Sequence, residues 1–482
     1  MRQLLSLFLH YGLSQSVILH GVSDPVEPGS TSIVYGSGLG SNVTITACAM
    51  GGAPGDGTPW PSVQSWESSY KSIVPAGSEP AIYSLSVPGI SNSVLLNAPT
   101  LQWYLAEGSE VEGVAVPGST LRVFGVNLAW SLEDRNCPSL GLGATNSTPP
   151  PPPGVYALLV SAIDASQQYP VHMPLATCYR LDLTLPSTLP PGNYSLYVNN
   201  GLWRDWAPPS MASLPPPLID VLQVAPSPPW PTTVFTVGET VGCENVTACL
   251  ITATSAGGGV VSLPPGVYHM ASGQPIILGP RVALNGSGQG EGGSALVWSN
   301  NCGGPIGAGG WITGGPNPWR LMNLLAVFSS GMWGQPGVLI GAGSVGAWVE
   351  NVTVWINTTD RTGTGTGITV GEGGNRTRTA QWVVRGSTFY TSPGVTCPIN
   401  SWPRNCGFYF TYTRGGAFYN NTFISGCQGW SVIDSSNLFL SDLYIQSIGE
   451  NSDGNGFANC SCDFGYFFTQ LFLSHSNPHQ YL

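Results

Sequence analysis

The chain has 482 residues, more than one compact domain usually contains, so two or three domains are expected. Only 8% of the residues are charged, whereas 64 glycines and 42 prolines accompany many aromatic residues, which favours an all-β protein of short strands and tight turns. A hydrophobic content of 42% excludes a disordered chain, and a formal charge of −11 without a basic patch argues against nucleic acid as a partner.

The N-terminus contains a candidate signal peptide over residues 1–16. An arginine at position 2 precedes a mostly apolar stretch over residues 4–9, and cleavage near Ser16 would leave a strand that begins at Val17. No uninterrupted apolar stretch of about 18 residues occurs, so no transmembrane segment is expected.

The first part of the chain contains an internal repeat. Residues 28–39, which begin with Pro-Gly-Ser-Thr, are matched 89 residues later by residues 117–128. In both copies Pro-Gly predicts a turn, the next residues predict a strand, and a later glycine predicts a bend or bulge. An offset of this length is about that of one immunoglobulin-sized sandwich, so two β-sandwich domains are predicted, over residues 17–105 and 106–204.

The second copy closes with Leu-Pro-Pro-Gly-Asn-Tyr-Ser-Leu-Tyr-Val over residues 189–198, a turn followed by an alternating strand. Together with the repeat, this pattern resembles the IPT/TIG immunoglobulin-like domains. The resemblance implies modules that bind partners or space other modules apart. A polyproline run at 149–153 predicts an exposed loop whose base Cys137 and Cys178 could tie, and a proline-rich stretch at 205–233 predicts a semi-rigid linker.

The most specific motif opens the C-terminal region. A short amphipathic helix is predicted over residues 247–256, three glycines end it, and Leu-Pro-Pro-Gly-Val-Tyr follows at 263–268 as a strand, a turn and a strand. This arrangement resembles the beginning of the pectate-lyase-like right-handed parallel β-helix superfamily. In that superfamily such a helix covers the open N-terminal edge of the solenoid. The resemblance implies a parallel β-helix over residues 234–482.

Short apolar strands then recur, as the coils of a solenoid would. They are centred on Val354, Phe389, Phe423, Tyr444 and Phe472, at spacings of 35, 34, 21 and 28 residues. No capping segment is recognisable after the last of them. We therefore expect a truncated C-terminus, a partner chain that covers this end, or self-assembly through it.

The candidate catalytic residues come from a second resemblance. Residues 451–454, Asn-Ser-Asp-Gly, resemble the Asn-Thr-Asp-Gly motif of polygalacturonases, but a polar turn between coils explains them better. Hydrolases of this fold use two or three aspartates on neighbouring coils, so the resemblance implies Asp434, Asp442 and Asp453 as the candidate acids. The Asp-Asp pair and the Gly-His-Gly motif of that family are missing. A Ca²⁺-dependent lyase would need a cluster of carboxylates and a basic residue that removes a proton. Neither is recognisable in this region, and no metal site or cofactor is expected.

Glycans are the expected partners, and nine of the 16 tryptophans lie in this same region. Most of these side chains should stack in the core, while two or three could form a platform for sugar rings. The set comprises Trp298, Trp311, Trp319, Trp333, Trp348, Trp355, Trp382, Trp402 and Trp430. The leading hypothesis is a glycan-binding or structural scaffold of a matrix or filament. The alternative is a polysaccharide-degrading enzyme, with a polygalacturonase-type hydrolase ahead of a pectate lyase.

Sequons and cysteines predict an extracellular glycoprotein, secreted or on the cell surface. Asn-x-Ser/Thr occurs more often than random placement would give, although asparagine and threonine could also share the turns of a solenoid. The candidate glycosylation sites are Asn42, Asn146, Asn193, Asn245, Asn285, Asn351, Asn357, Asn375, Asn420 and Asn459. The chain has 11 cysteines without zinc-ligand spacing, which favours disulfides. The candidates are Cys137, Cys178, Cys243, Cys249, Cys397, Cys406, Cys427 and Cys460.

Overall fold

The computed structural model describes most of the chain between residues 17 and 475. The described residues are 17–41, 43–50, 57–111, 113–130, 154–202, 217–227, 230–271, 273–298, 310–328, 336–341, 343–356, 366–371, 379–391, 406–411, 413–425, 428–433, 435–447, 456–458, 467–468 and 471–475. Within them the protein is all-β apart from one α-helix, which confirms the predicted class.

The chain forms two compact units. The first takes residues Met1–Gln102 and Arg122–Leu222, and the second takes Trp103–Leu121 and Gln223–Leu482.

The strands of the first 130 residues are β1 (Ile18–Val22), β2 (Thr31–Ser37), β3 (Ile45–Ala49), β4 (Thr58–Trp60), β5 (Ser62–Trp66), β6 (Ser69–Ile73), β7 (Tyr83–Ser86), β8 (Ser93–Leu96), β9 (Thr100–Ala106), β10 (Val114–Ala115) and β11 (Thr120–Val126). The next are β12 (Val155–Ser161), β13 (Gln168–Ala176), β14 (Arg180–Thr184), β15 (Gly192–Asn200), β16 (Ile219–Val224) and β17 (Val234–Thr236).

The helix α1 (Val246–Ser255) precedes β18 (Gly259–Ser262), β19 (Gly266–Met270), β20 (Ile276–Leu278), β21 (Val282–Asn285), β22 (Ser294–Trp298), β23 (Ile312–Gly314), β24 (Arg320–Phe328), β25 (Pro336–Ile340) and β26 (Trp348–Ile356). The last strands are β27 (Thr366–Val370), β28 (Trp382–Arg385), β29 (Thr388–Thr391), β30 (Cys406–Thr411), β31 (Arg414–Ser425), β32 (Gln428–Ile433), β33 (Ser436–Ser447), β34 (Gly456–Ala458), β35 (Phe467–Phe468) and β36 (Leu471–His475).

The N-terminal part of the first unit has two antiparallel sheets around one core. One sheet has the order β1-β2-β6-β5 and the other β4-β3-β7-β8. The strands alternate between buried and exposed side chains, and Leu19 and Val34 of one sheet belong to the same core as Ile45 and Leu85 of the other. Strands β15, β12, β13, β14 and β11 lie in this order in a further sheet.

The sequence repeat corresponds to a repeated local structure. Gly36 in β2 and Gly125 in β11 each lie against a backbone carbonyl, so a Cβ would stand 2.3 Å from the Ile18 oxygen or 2.0 Å from the Thr100 oxygen. Three residues later, Leu39 and Leu128 are fully buried in the corresponding places. Each glycine is therefore required by a close approach of backbone to backbone.

The second unit has parallel strand pairing from β17 onward. One sheet follows the path β17-β18-β21-β24-β26-β28-β31-β33-β35, with β19, β22, β29 and β36 beside it. The other has the order β20-β23-β25-β27-β30-β32-β34, so the chain alternates between the two sheets. Because the pairing is parallel, a position that faces inward in one strand is matched by an inward position in the next. One such row is Val261, Leu284, Leu321, Val349, Val384, Phe418 and Leu440, all of them buried.

A bend divides the long strands of the first sheet into two halves. Asn323, Asn351 and Asn420 occupy it with φ of 54°, 53° and 54°, and Gly386 occupies it with φ of 57°. Asparagine and glycine are the residues that adopt this left-handed conformation most readily. The Asn323 amide donates to Asn285 Oδ1 at 2.8 Å, and the Asn351 amide donates to Asn323 Oδ1 at 2.7 Å. The bend is thus held by an asparagine ladder.

Helix α1 lies at the start of these sheets and buries Val246, Cys249, Leu250 and Ala253. A disulfide joins Cys243 to Cys249. The helix begins and ends one residue earlier than the sequence predicts.

Most of the described tryptophans of this unit pack inside it. Trp298, Trp311, Trp319 and Trp382 are 0% exposed. Trp298 stacks on Phe328 with ring centroids 4.6 Å apart.

We predict that Gly125→Ala destabilises the protein, because its new Cβ would overlap the Thr100 carbonyl oxygen. Overpacking of this kind costs about 1–3 kcal/mol, so calorimetry of the full chain should show a lower melting temperature. Gly40→Ala is the matched control, since no atom lies within 4 Å of its Cβ, and it should leave the melting temperature unchanged. Equal melting of both variants would contradict the close approach.

Asp24 gives the first unit a pH dependence. Burial raises its pKa from 3.8 to about 6, although hydrogen bonds from the Asn97 backbone and the Asn127 side chain oppose the shift. The folded state therefore binds this proton more tightly than the unfolded state does. The contribution to stability is present below pH 3.8 and is lost as pH rises through about 6.

We predict that Asp24→Asn removes this loss, because the amide stays neutral at every pH. Denaturant unfolding of both proteins at several pH values between 3.8 and 7 should show the wild type losing more stability than the variant as pH rises. Parallel curves would contradict the raised pKa.

Candidate functional site

The second halves of the long strands expose a continuous face to solvent. Two parallel rows of outward side chains form what we call the outer face. The first row is Val267, Ala295, Leu325, Thr353, Thr388 and Thr422, and the second is His269, Val297, Val327, Trp355, Tyr390 and Ile424. All are exposed or half-buried, whereas their sequence neighbours point into the core.

An aromatic pair stands out on this face. Trp355 is 40% exposed, although the described tryptophans that line the core are fully buried. It lies directly opposite Tyr390 in the register, and the two rings meet edge to face with centroids 5.8 Å apart. The pair therefore offers a rigid aromatic surface to solvent.

The remaining chemistry of the outer face is uncharged. The twelve residues in its two rows include no aspartate, glutamate, lysine or arginine, and one histidine, His269. Three threonine hydroxyls follow one another in the first row, and the Thr353 hydroxyl donates to Gln289 Oε1 at 2.6 Å. Successive side chains in each row repeat at the strand spacing of about 4.8 Å. Such a surface can stack rings and hydrogen-bond hydroxyls, but it carries no fixed charge to attract an ion.

The first halves of the same strands carry a different surface, the Arg–Trp cluster of Trp230, Arg281, Arg320, Trp348 and Arg385. Arg320 lies 4.0 Å from the centre of the Trp230 ring, and Arg385 lies 4.7 Å from that of Trp348. Burial lowers the pKa of Arg320, against the attraction of nearby carboxylates. These are cation–π contacts of partly desolvated guanidinium groups.

Carboxylates complete the Arg–Trp cluster. Arg281 pairs with Glu110 at 2.6 Å, and Arg385 pairs with Glu350 at 2.7 Å. The Tyr419 hydroxyl donates to Glu107 at 2.7 Å.

Arg385 is held in its charged form. Burial alone would lower its pKa, but hydrogen bonds to Tyr419 and Glu350 outweigh burial and raise the pKa. The indole of Trp348 donates to the second oxygen of Glu350 at 2.8 Å. Because Glu107 and Glu110 belong to residues 103–121 of the same unit, this network fixes that segment on the first-half surface instead of leaving the arginines open to a ligand.

The outward side of the second sheet is closed over β23, β25 and β27, although Ile277, the preceding residue of this row in β20, is 57% exposed. Thr313, Leu339 and Thr369 alternate with core residues of β23, β25 and β27, yet they are only 7%, 7% and 9% exposed. The outer face, by contrast, has exposed or half-buried side chains on each of its strands from β19 to β31.

The grouping of the three candidate catalytic acids stays a prediction, because the structure describes only the backbone of one of them. Asp434 and Asp453 lie outside the described residues. Asp442 lies in β33, where the register places it opposite Asn420, at the bend and not in the middle of a sheet. No group of three metal-binding side chains is found among the residues that the structure describes.

The candidate glycosylation sites divide by geometry. Asn193 and Asn245 are exposed outside the bend, Asn351 and Asn420 form part of it, and Asn285 accepts a hydrogen bond in the ladder. The other sequons, at Asn42, Asn146, Asn357, Asn375 and Asn459, lie outside the described residues.

Of the candidate disulfides, only the pair Cys243–Cys249 can be followed in full. Cys178 is disulfide-bonded as well. Cys137, Cys397, Cys427 and Cys460 lie outside the described residues, and only the backbone of Cys406 is described. Disulfides are typical of oxidising compartments. In the described part of the chain, no helix has the length and apolarity that crossing a membrane requires.

Sequence reasoning missed two parts of these surfaces. Tyr390 could have been found, because it directly follows the inward Phe389 and must therefore point outward. The roles of Glu107 and Glu110 leave no local signal, since their partners lie far away along the chain.

Comparison with known proteins gives only distant likenesses. No protein-family model matches the chain, and no curated protein matches it. Among solved structures, a family 28 exopolygalacturonase of Yersinia enterocolitica shares 12% identity over 78% of this chain and 76% of its own, with a TM-score of 0.28.

Two sugar complexes are also similar in part. The Bacteroides ovatus mixed-linkage glucan utilization locus protein SGBP-B, in complex with a mixed-linkage heptasaccharide, shares 16% identity over 43% of this chain and 45% of its own, with a TM-score of 0.18. A structure with a xylogluco-oligosaccharide shares 17% identity over 39% of this chain and 38% of its own, with a TM-score of 0.20. The chain thus spans less than half of the length of either complex.

Proposed function

We infer that the protein is a secreted or cell-surface scaffold whose outer face binds neutral glycans. The finer architecture belongs to the same proposal: a right-handed parallel β-helix over residues 234–482, preceded by two IPT/TIG-like modules and a proline-rich linker. Two parallel sheets that the chain visits in alternation, around one core, support the β-helix.

The observation that carries the proposal is the exposed pair of Trp355 and Tyr390. A contiguous apolar patch left in water indicates a binding surface, and the pair forms such a patch with Val327 and Ile424 of the same row. The apolar faces of sugar rings stack on such side chains, and the flanking threonine hydroxyls supply hydrogen-bond partners.

The charge pattern indicates the kind of glycan. An acidic polysaccharide would need cations on the surface that it contacts, and the two rows of the outer face contain no lysine or arginine. Among the described residues of this unit, Arg281 and Arg385 are paired with carboxylates in the Arg–Trp cluster. A neutral polysaccharide therefore fits better than a pectic one.

We predict that Trp355→Ala weakens binding of neutral hexasaccharides about 30-fold, since truncating a central aromatic contact costs roughly 2 kcal/mol. Calorimetric titration with cellohexaose, xylohexaose and mannohexaose, beside oligogalacturonate, measures the effect. Trp66→Ala is the matched control, because Trp66 is 48% exposed but lies outside the outer face. It should bind as the wild type does.

Two results would contradict this proposal. One is tighter binding of oligogalacturonate than of any neutral probe. The other is hydrolysis of a polysaccharide by the wild-type protein, measured as new reducing ends, together with loss of this activity in Asp434→Asn or Asp453→Asn. This result would favour the hydrolase alternative.

N-glycosylation is the second part of the proposal. We expect some sequons to carry a glycan and others to remain unmodified, according to the hydrogen bonds of the asparagine side chain. The amide of Asn351 already donates to Asn323, and the hydroxyl of its sequon threonine, Thr353, already donates to Gln289. Asn193 lies exposed after a turn, and its side-chain amide makes no hydrogen bond to another described residue, although the hydroxyl of its sequon serine, Ser195, donates to the Asp220 carbonyl at 2.7 Å.

We predict that Asn193→Gln lowers the mass of the secreted protein by one glycan, whereas Asn351→Gln changes it only by the substitution itself. Intact-protein mass spectrometry after expression in a glycosylating host measures both. A glycan lost in Asn351→Gln would show that the ladder tolerates modification and would contradict this division of the sequons.

A further inference from the structure

A groove opens beside helix α1, at the start of the parallel sheets. Its volume is about 740 Å³, within the range of small-ligand sites. It is lined by the first turns of α1, by the end of β17 and by β19 with the residues after it.

The groove combines exposed apolar walls with polar groups. Ile251 of α1 and Val267 of β19 are 62% and 61% exposed, an unusual state for two large apolar side chains that line one concavity. His269 and Gln274 lie beside them and offer hydrogen-bonding groups. The lining therefore suits an occupant that has both apolar faces and hydroxyl or amide groups.

Asn245 lies at the edge of the groove and is the N-cap of α1. Its Oδ1 accepts the backbone N–H of Ala248 at 2.9 Å. The cap uses only the oxygen of the amide, and none of the hydrogen bonds between described residues uses its Nδ2. With Thr247 two residues later, Asn245 begins a sequon, so a sugar on Nδ2 would leave the helix cap intact.

We propose that the N-glycan of Asn245 folds back and occupies this groove, with its first N-acetylglucosamine residues against Ile251 and Val267. The inference rests on the glycosylation proposed above and adds where the glycan lies. Covalent attachment removes the need for high affinity, because a tether holds its ligand at an effective concentration of the order of millimolar. Acetamido and hydroxyl groups of the sugars would bond His269 and Gln274, and their apolar faces would cover the two aliphatic side chains.

The seated glycan also extends the cover that α1 gives to the start of the sheets. Val267 and His269 are the first residues of the two rows of the outer face. A glycan in the groove would therefore cover this end of the outer face. A bound polysaccharide would then lie along the second row, from Val297 to Tyr390.

The test compares the full chain, secreted from a glycosylating host, with three variants. Asn245→Asp keeps an N-cap acceptor but has no sequon, Thr247→Ala keeps the asparagine cap but has no sequon, and Thr247→Ser keeps both. Peptide mass spectrometry reports occupancy at Asn245, and diethylpyrocarbonate labelling reports the exposure of His269. We expect His269 to be labelled several-fold more slowly in the wild type and Thr247→Ser than in the two variants without the sequon.

The outcomes separate this inference from the proposal on which it rests. Equal labelling of His269 in all four proteins, with Asn245 occupied in the wild type, would overturn the seated glycan and leave glycosylation standing. An unmodified Asn245 in a protein that carries glycans elsewhere would overturn it as well. A protein without any N-glycan would overturn both.

Discussion

Parallel register is the constraint on which the rest of the second unit depends. Because each strand pairs in parallel with the next, a side chain that is inward once has inward partners above and below it. Leu284, Leu321 and Val349 form one part of such a row, and Phe389 stacks on Phe423 with centroids 5.0 Å apart. The same constraint repeats outward side chains at the strand spacing, and so it creates the outer face as a by-product of the core.

The bend divides the first parallel sheet into two surfaces, one on each side of it. A left-handed residue in each of β24, β26 and β31 shifts the alternation of inward and outward side chains by one position. Leu321 and Leu324 of β24 can therefore both be buried, although they are three residues apart. The half before the bend carries the Arg–Trp cluster and is engaged by residues 103–121. The half after it carries Trp355 and Tyr390 and remains open.

Much of the fold could be predicted from local sequence. Pro-Pro-Gly-x-Tyr precedes a strand twice, and in both places the tyrosine hydroxyl donates to the carbonyl of the first proline, at 2.7 Å for Tyr194 and 2.8 Å for Tyr268. Because this hydrogen bond joins residues only four positions apart, both partners belong to one short motif that can be recognised in the sequence. The inward rows likewise leave apolar residues at every second position.

The site was harder to predict, for physical reasons. The bond between Tyr419 and Glu107 joins residues 312 positions apart, so no local pattern indicates it. Two of the sequon asparagines have a structural explanation as well. At Asn351 and Asn420 the bend favours a residue that adopts the left-handed conformation, such as asparagine. The position two residues later points outward and suits threonine. These two structural preferences together produce the sequence Asn-x-Thr. Such a motif records backbone geometry as well as any modification.

The most direct test of this account is a crystal structure with a bound neutral oligosaccharide. The account predicts sugar rings stacked on Trp355 and Tyr390, with the chain of sugars running across the strands at their spacing and hydroxyl groups near Thr353 and Thr388. Sugars bound instead against Thr313, Leu339 and Thr369, or among the arginines of the Arg–Trp cluster, would contradict it.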